Sequence, residues 1–507
     1  MRTDTIRRAG PREWAGLAVL ALPTVLLGLD VTVLYLALPT LAADLQPSGT
    51  QELWIMDIYG FLIAGLLITM GSLGDRIGRR RLLMIGAIAF AAASVMAAYS
   101  TSAEMLIAAR AALGIAGATL MPSTLALIST LFPDARQRAL AIGVWATMFS
   151  LGMAAGPLVG GVLLHYFWWG AAFLVALPLL GLVLLTGPFL LPEYRAAQSA
   201  RLDLPSVLLS LAAILPVVYA VKDVAAYGPN LGALLALVTG TAFGIVFVRR
   251  QRQLADPLLD LRLFASRAFS AALAILLVGL VGVGGTMFLV TQHLQFVEGL
   301  SPLVAGAWMG PPALAMFLAA IVAPLMARHI RPGMVMAATL ALSTVGYLLL
   351  GRVDGADNIA LVVAGYALVY LGLGAIAALG TDLVIGAAPA DKAGSASATS
   401  ETVQELGIAV GVAVLGSLTS LVYRSQIAGT VPSEVAPKVA DTAEESLAGA
   451  SSVADELPAR VLEQTTAAFT SGLNLAAQVT GVVILVLAVV CALLLRNIGR
   501  VGTSESP

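Results

Sequence analysis

Stretches of about twenty apolar residues recur along the whole chain, separated by short polar segments that often carry arginine. A helix needs about twenty such residues to cross the roughly 30 Å hydrocarbon core of a bilayer, where backbone N–H and C=O groups must be paired within the segment itself. Fourteen stretches meet that requirement: 14–38, 50–72, 82–100, 104–127, 138–163, 170–191, 205–222, 230–248, 269–297, 303–326, 333–350, 359–386, 396–423 and 474–495. The pattern predicts an all-α polytopic membrane protein with fourteen transmembrane helices.

The placement of lysine and arginine gives an orientation. Of the 28 basic residues, 22 fall in segments that are cytoplasmic if the N-terminus is inside, five fall in the opposite segments, and Arg110 lies within a span. Both termini are therefore expected in the cytoplasm. Arg2, Arg7, Arg8 and Arg12 precede the first span much as basic residues precede a signal peptide. Its apolar stretch is longer than a typical signal h-region and no small-residue cleavage site follows, so it is expected to be retained.

Composition agrees, with 59% hydrophobic and 11% charged residues, against about 25% charged in ordinary soluble domains. The formal charge of −1 holds no basic excess of the kind that attracts nucleic acid. Cys491 is the lone cysteine, which excludes an internal disulfide and a thiolate metal cluster, and the histidines at 165, 293 and 329 have no ligand spacing. No metal is expected.

The expected organisation is a cytoplasmic tail over 1–13, a six-helix bundle over 14–191, an inserted helix pair with linkers over 192–268, a second six-helix bundle over 269–495 and a tail over 496–507. Two halves around a midplane cavity are the usual plan of secondary transporters, in which one half rocks against the other. The second bundle contains the one long polar segment, 424–473, with seven acids against Arg424, Lys438 and Arg460. Its composition permits either a flexible solvated loop or a short amphipathic hairpin at the outer surface.

Four motifs fall on this scaffold. After the second span stands Gly71-Ser72-Leu73-Gly74-Asp75-Arg76-Ile77-Gly78-Arg79-Arg80-Arg81, where glycines allow a tight turn between packed helix ends and Asp75 can take an arginine or a helix N-terminus as partner. The fifth span carries Gly152-Met153-Ala154-Ala155-Gly156-Pro157-Leu158-Val159-Gly160-Gly161, a small-residue stripe that lets helices approach, with a proline that bends the span. The fourth span holds Arg110, followed by Gly114 and Gly117. Even the lower insertion scales put such an arginine at about 2.5–3.5 kcal/mol, so it should face the bundle and find a partner. The first span ends Leu29-Asp30-Val31-Thr32-Val33-Leu34-Tyr35-Leu36-Ala37-Leu38-Pro39.

Together with Trp54-Ile55-Met56-Asp57-Ile58-Tyr59 and Ser400-Glu401-Thr402-Val403-Gln404-Glu405-Leu406-Gly407, these motifs resemble the major facilitator superfamily, and within it the fourteen-helix drug:proton antiporter family of multidrug exporters. The resemblance runs through the whole chain, outer loop included. It implies a major facilitator fold, a gating role for the loop after the second span, an antiporter signature in the fifth and a link between Arg110 and proton coupling. Some members carry a further acid in the tenth span, where Ala305-Gly306-Ala307-Trp308-Met309-Gly310-Pro311-Pro312 has none.

Asp30, Asp57, Glu401 and Glu405 are the acids placed well inside spans, with Asp382 near the inner end of the twelfth as a possible accessory. Glu401 and Glu405 are four apart and share a helix face, with a rise of about 6 Å between them. In a low-dielectric cavity each carboxylate holds its charge only against a partner, so a hydrophobic cation and protons can compete for the set. The resemblance makes Asp30 the first candidate for proton coupling, then Glu405 and Glu401, with Asp57 shared with substrate charge. Trp54, Tyr59, Trp145, Tyr366 and Tyr370 are candidate cavity aromatics for cation–π contact.

The chain shows no phosphate loop or soluble catalytic domain, so a proton gradient is the expected energy source, with no cofactor and no enzymatic reaction. The reading is a monomeric exporter of cationic amphipathic drugs, dyes and antiseptics in a bacterial cell membrane. A dedicated exporter of one antibiotic or metabolite shares the same sequence features, and a non-transporting scaffold or sensor is the reading from another class.

Overall fold

A computed structural model of the chain describes residues 9–193, 203–227, 230–254, 257, 259, 261–387 and 393–495. Residues 1–8 of the expected N-terminal tail, the whole of the expected tail 496–507, much of the linker after residue 193 and Lys392 lie outside the described residues. Among the described residues there is no strand; the chain runs through helices joined by short turns.

The first half comprises α1 (Pro11–Leu45), α2 (Gly49–Ile77), α3 (Arg79–Ala98), α4 (Ala103–Leu131), α5 (Ala135–Tyr166) and a sixth apolar passage broken at Val175 into α6 (Ala171–Leu174) and α7 (Ala176–Leu190). Caps fix several starts. Ser48 accepts a hydrogen bond from Gln51 N at 3.3 Å while the Gln51 side chain accepts from Ser48 N at 2.9 Å, and Ser102 accepts from Met105 N at 3.2 Å. The α2 to α3 turn is made by Gly78 at φ 112°, a backbone region closed to most side chains.

Next come α8 (Leu204–Tyr227) and α9 (Leu231–Gln253), at the place of the expected inserted pair. The second half contains α10 (Arg267–Gln292), closed by a π-turn at His293–Val297, then α11 (Pro302–Trp308), α12 (Gly310–Met326), α13 (Pro332–Leu350), α14 (Ile359–Gly386), α15 (Ala393–Ile427), α16 (Pro437–Glu445), α17 (Leu447–Ser452) and α18 (Ala459–Leu494).

Twelve helices among the described residues are long and apolar enough to cross a membrane. The second and seventh predicted spans fall on α2 and α8, which carry the apolar stretches Trp54–Leu67 and Leu204–Val217 among the residues whose side chains are described. The tenth predicted span is interrupted at Met309, where the successive prolines 311 and 312 supply no backbone N–H to the preceding turn. The last helix starts at Ala459, well before the predicted 474. Its added turns bury Val461, Thr465, Ala468, Phe469 and Gly472 against the protein, so they need no run of apolar residues to be helical.

The segment 424–473 resolves the choice between a flexible loop and a hairpin in favour of ordered helices. α16 and α17 pack on each other over a small core of Val439, Ala443, Ala450, Leu457 and Val461, and the Tyr423 hydroxyl donates to Ala443 O at 2.7 Å. Leu447 of α17 joins the main core, and α17 rests on α1 and on the π-turn. It covers the end of the bundle remote from the chain termini, here termed the distal end.

The halves meet through α2 on α15, α5 on α11 and α12, and α1 on α10. α8 lies across that junction. Its Val207 and Leu211 pack with Leu66 and Ala118 of the first half, and its Ile214 and Leu215 pack with Phe61 and with Ala409 and Ala413 of the second. α9 packs on α8 and exposes Leu231, Leu234, Leu235 and Val238, an apolar face suited to lipid tails. At their proximal ends the pair is tied by Arg250, whose Nη2 donates to Asp203 Oδ1 at 2.6 Å and whose Nε donates to Oδ2 at 3.0 Å.

Candidate functional site

Arg110 organises the site. Its guanidinium is 2% exposed; Nη1 donates to Asp30 Oδ2 at 2.9 Å, and Nε donates to Ile55 O at 3.1 Å. One side chain on α4 thus binds α1 and α2, which a lysine's single nitrogen could not do with this geometry. Gly114 and Gly117 one and two turns further on make this possible: a Cβ at Gly114 would lie 2.7 Å from Tyr59 O, and one at Gly117 would lie 3.1 Å from Ile63 Cδ1. The guanidinium carbon lies 4.4 Å from the centre of the Tyr59 ring, a cation–π contact internal to the protein.

The second half contributes Glu401 and Glu405, both buried on α15. α15 packs on α2, where Gly60 lies beside Ala409 and the Glu405 carbonyl. The Glu405 and Asp30 carboxyls interact electrostatically across the junction, and Glu401 interacts with Glu405 along its own helix. Asp30, Glu405 and Arg110 all act on Tyr59. The structure therefore brings Asp30, Arg110, Glu405, Glu401 and Tyr59 into one buried set.

Asp57 is 2% exposed on α2 and acts electrostatically on Tyr35 of α1, an aromatic that the sequence patterns do not single out. Tyr366 and Tyr370 are buried together on α14 with ring centres 4.4 Å apart, and the Tyr370 hydroxyl donates to Met287 Sδ at 3.0 Å. The remaining candidates separate from this set. Trp145 is committed inside the first half, its Nε1 donating to Thr124 Oγ1 at 3.0 Å, and Trp54 is half-buried near the distal end of α2. Asp382 is exposed on α14 and enters no ion pair among the described residues, so it is not part of the buried acid set.

The glycine motif of α5 works on two faces. Gly152 faces Val25 and Leu29, Gly156 faces Thr32, and Gly160 faces Val33, so α1 and α5 are seamed along their length, with Thr32 Oγ1 donating to Met153 O at 3.2 Å. Gly161 instead faces the second half: a Cβ would lie 2.8 Å from Pro302 O and 2.9 Å from Leu303 Cα. The carbonyl of Pro157 lies against Gly306 of α11, and the carbonyl that the proline leaves without its helical N–H, Met153 O, is the one that accepts from Thr32. The motif that holds Asp30's helix in place therefore also closes the distal end.

In the loop motif, Gly71 and Gly74 pack near Pro122 and Arg79, Arg79 is buried, and Arg76 is exposed. The side chain of Asp75 lies outside the described residues. Sequence reasoning missed Glu193, just after α7: it accepts from Arg80 N at 3.2 Å, lies 3.7 and 3.8 Å from Arg80 and Arg81, and fills the space beside Gly78. An acid at the end of an apolar run facing a loop of three arginines was the available signal.

Residues 20–412 match the profile described as Major Facilitator Superfamily. The chain is 42% identical to multidrug efflux pump LfrA of Mycolicibacterium smegmatis, covering 98% of this chain and 99% of that one. It is 34% identical to the methyl viologen resistance protein SmvA of Salmonella typhimurium, covering 94% and 97%, and 29% identical to a tetracenomycin C resistance and export protein of Streptomyces glaucescens, covering 94% and 91%. The fold is similar to the inward-facing, occupied crystal structure of a bacterial homologue of the human lysosomal transporter Spinster, with a TM-score of 0.62 at 17% identity over 96% of this chain and 98% of that one. With its long apolar helices, a buried arginine–carboxylate pair between α1 and α4, and a match spanning most of its length, this chain is a multi-pass membrane protein that belongs to the Major Facilitator Superfamily.

Proposed function

We propose that this protein exports lipophilic cations from the cell across the bacterial plasma membrane in exchange for protons, with the distal end facing out and both termini in the cytoplasm. The observation that carries the reading is the Asp30–Arg110 pair, 2.9 Å apart and buried, with Glu405 of the other half acting on Asp30. Removing one partner of such a pair leaves an uncompensated buried charge. Protonating Asp30 therefore changes what Arg110 can bind, and a cation reaching the acids from inside competes for the same charges. Residues 14–191 and 269–495 act as the two rocking halves, and α8 and α9 as an inserted pair.

Several acids serve better than one. Moving one charge through 100 mV is worth about 2.3 kcal/mol, so an exchange of one proton for one monovalent cation draws nothing from the voltage. Glu401, Glu405 and Asp57 allow more than one proton per cation. The relatives named for multidrug efflux and for methyl viologen resistance support a cationic cargo.

In proteoliposomes with an imposed pH gradient, the wild type should move ethidium against its concentration gradient and Asp30→Asn should not. Undiminished pumping by Asp30→Asn removes that residue from the mechanism. A dedicated exporter of a single antibiotic is the second reading, favoured by the relative named for tetracenomycin C export. A panel of mono- and divalent cations in the same liposomes separates the two, since a dedicated exporter moves none of them.

A further inference from the structure

Tyr35 lies on α1 five residues after Asp30, where an isolated tyrosine in an apolar run carries no signal. In the folded protein it is 5% exposed and reaches both halves. Its ring meets that of Phe288 on α10 at 6.3 Å, tilted by 61°. The charges of Asp57 and Arg110 from its own half and Glu405 from the other act on it, as does Tyr370 of the tilted Tyr366–Tyr370 pair.

Tyr59, the other buried tyrosine beside the acids, is already engaged by the protein's own cation, with Arg110 4.4 Å from its ring centre. Among the described residues no such cation lies over Tyr35. Its aromatic neighbour Phe288 belongs to α10, across the junction.

We infer that Tyr35 is a specificity-determining residue, selecting cargo whose positive charge is spread over or carried by aromatic rings above cargo with an aliphatic ammonium head. Asp57 and Glu405 attract any cation; the ring of Tyr35, opposite Phe288 and Tyr370, adds a contact that an aromatic cation completes and an alkyl chain does not. The inference rests on the reading of the cargo as a lipophilic cation.

The test is equilibrium binding of tetraphenylphosphonium and of dodecyltrimethylammonium to the purified full-length protein. Tyr35→Leu is expected to weaken tetraphenylphosphonium about tenfold, the loss of one desolvated cation–π contact, and to change dodecyltrimethylammonium less than about twofold. Tyr35→Phe should bind both nearly as the wild type does. Equal losses for both cations, or none for either, overturn the role of Tyr35 while leaving the cation reading intact, because the wild type binds. A wild type that binds neither cation overturns the cation reading itself, and the role of Tyr35 with it. Should Tyr35→Leu not fold, graded fluorination of the phenylalanine in Tyr35→Phe gives the same answer: a stepwise fall in tetraphenylphosphonium affinity supports the inference and a flat response rejects it.

Discussion

Arg110 makes two directional bonds from different nitrogens, to a carboxylate on α1 and a carbonyl on α2, and it is 2% exposed. Its replacement therefore has two separable consequences. Arg110→Ala leaves Asp30 as a buried charge with no cation and should cost about 3–5 kcal/mol of stability, seen as a lower melting temperature of the purified protein. Arg110→Lys keeps the charge but cannot reach both partners, so it should recover part of the stability and little of the transport; full ethidium efflux in Arg110→Lys cells would contradict the two-bond role. At this scale the charged members of the site were legible in the sequence. An arginine or a carboxylate inside twenty apolar residues is costly and so stands out. Which groups pair was not legible, because Asp30 and Arg110 are 80 positions apart and meet only through tertiary packing. Tyr35 was invisible for the opposite reason: a tyrosine in an apolar run is ordinary.

The elements are held by close approach more than by apolar burial, since lipid tails solvate apolar side chains as well as another helix does. At Gly28 an added Cβ would meet Phe149 O and lie 2.9 Å from Met153 N, and at Gly152 it would meet Val25 O and lie 3.1 Å from Leu29 N. Gly28→Leu and Gly152→Leu should each drive α1 from α5 and abolish efflux, whereas Gly181→Leu, a position with open space around it, should leave efflux within about twofold of wild type on the surface-substitution scale. Comparable efflux loss at all three positions would mean that the seam is not what the glycines serve. The motif spacing made the α5 stripe legible, but not the division of labour in which Gly161 and Pro157 face α11. Hydropathy places the start of α18 too late because it detects contact with lipid, and the helix's first turns are buried against protein.

The inserted pair offers an independent check at its proximal end. Arg250, donating to Asp203, holds that carboxyl below the usual carboxylate range. A folded-state value below the unfolded one means that the stabilisation is fully present above the unfolded value of about 4 and is lost as pH falls through the folded one. Arg250 is more than one-third exposed, so solvent screens the pair and its contribution is small. Asp203→Asn should therefore melt slightly below the wild type at pH 7, and the gap should close on acidification below about pH 4; a gap independent of pH would assign the loss to the Ser206 contact instead.

For the molecule as a whole, the distal end is closed by backbone meeting backbone: Gly161 against Pro302 and Leu303, Gly306 against the carbonyl of Pro157, with α17 resting above. Gly306→Val cannot restore that contact. Spin labels at Tyr166 and Ser301, both exposed, should report a longer distance in Gly306→Val than in a Gly306 control, each in a Cys491→Ala background. Unchanged distances would show that the seam does not set the closed state. The central claim, that cation and proton compete for the buried acids, is met most directly by adding tetraphenylphosphonium to weakly buffered, purified protein near pH 7 and recording the pH. The account predicts protons released into solution on binding, diminished in Glu405→Gln and diminished further when Glu401→Gln is added. Saturable binding with no proton release, and with the same affinity at pH 6 and pH 8, would contradict it.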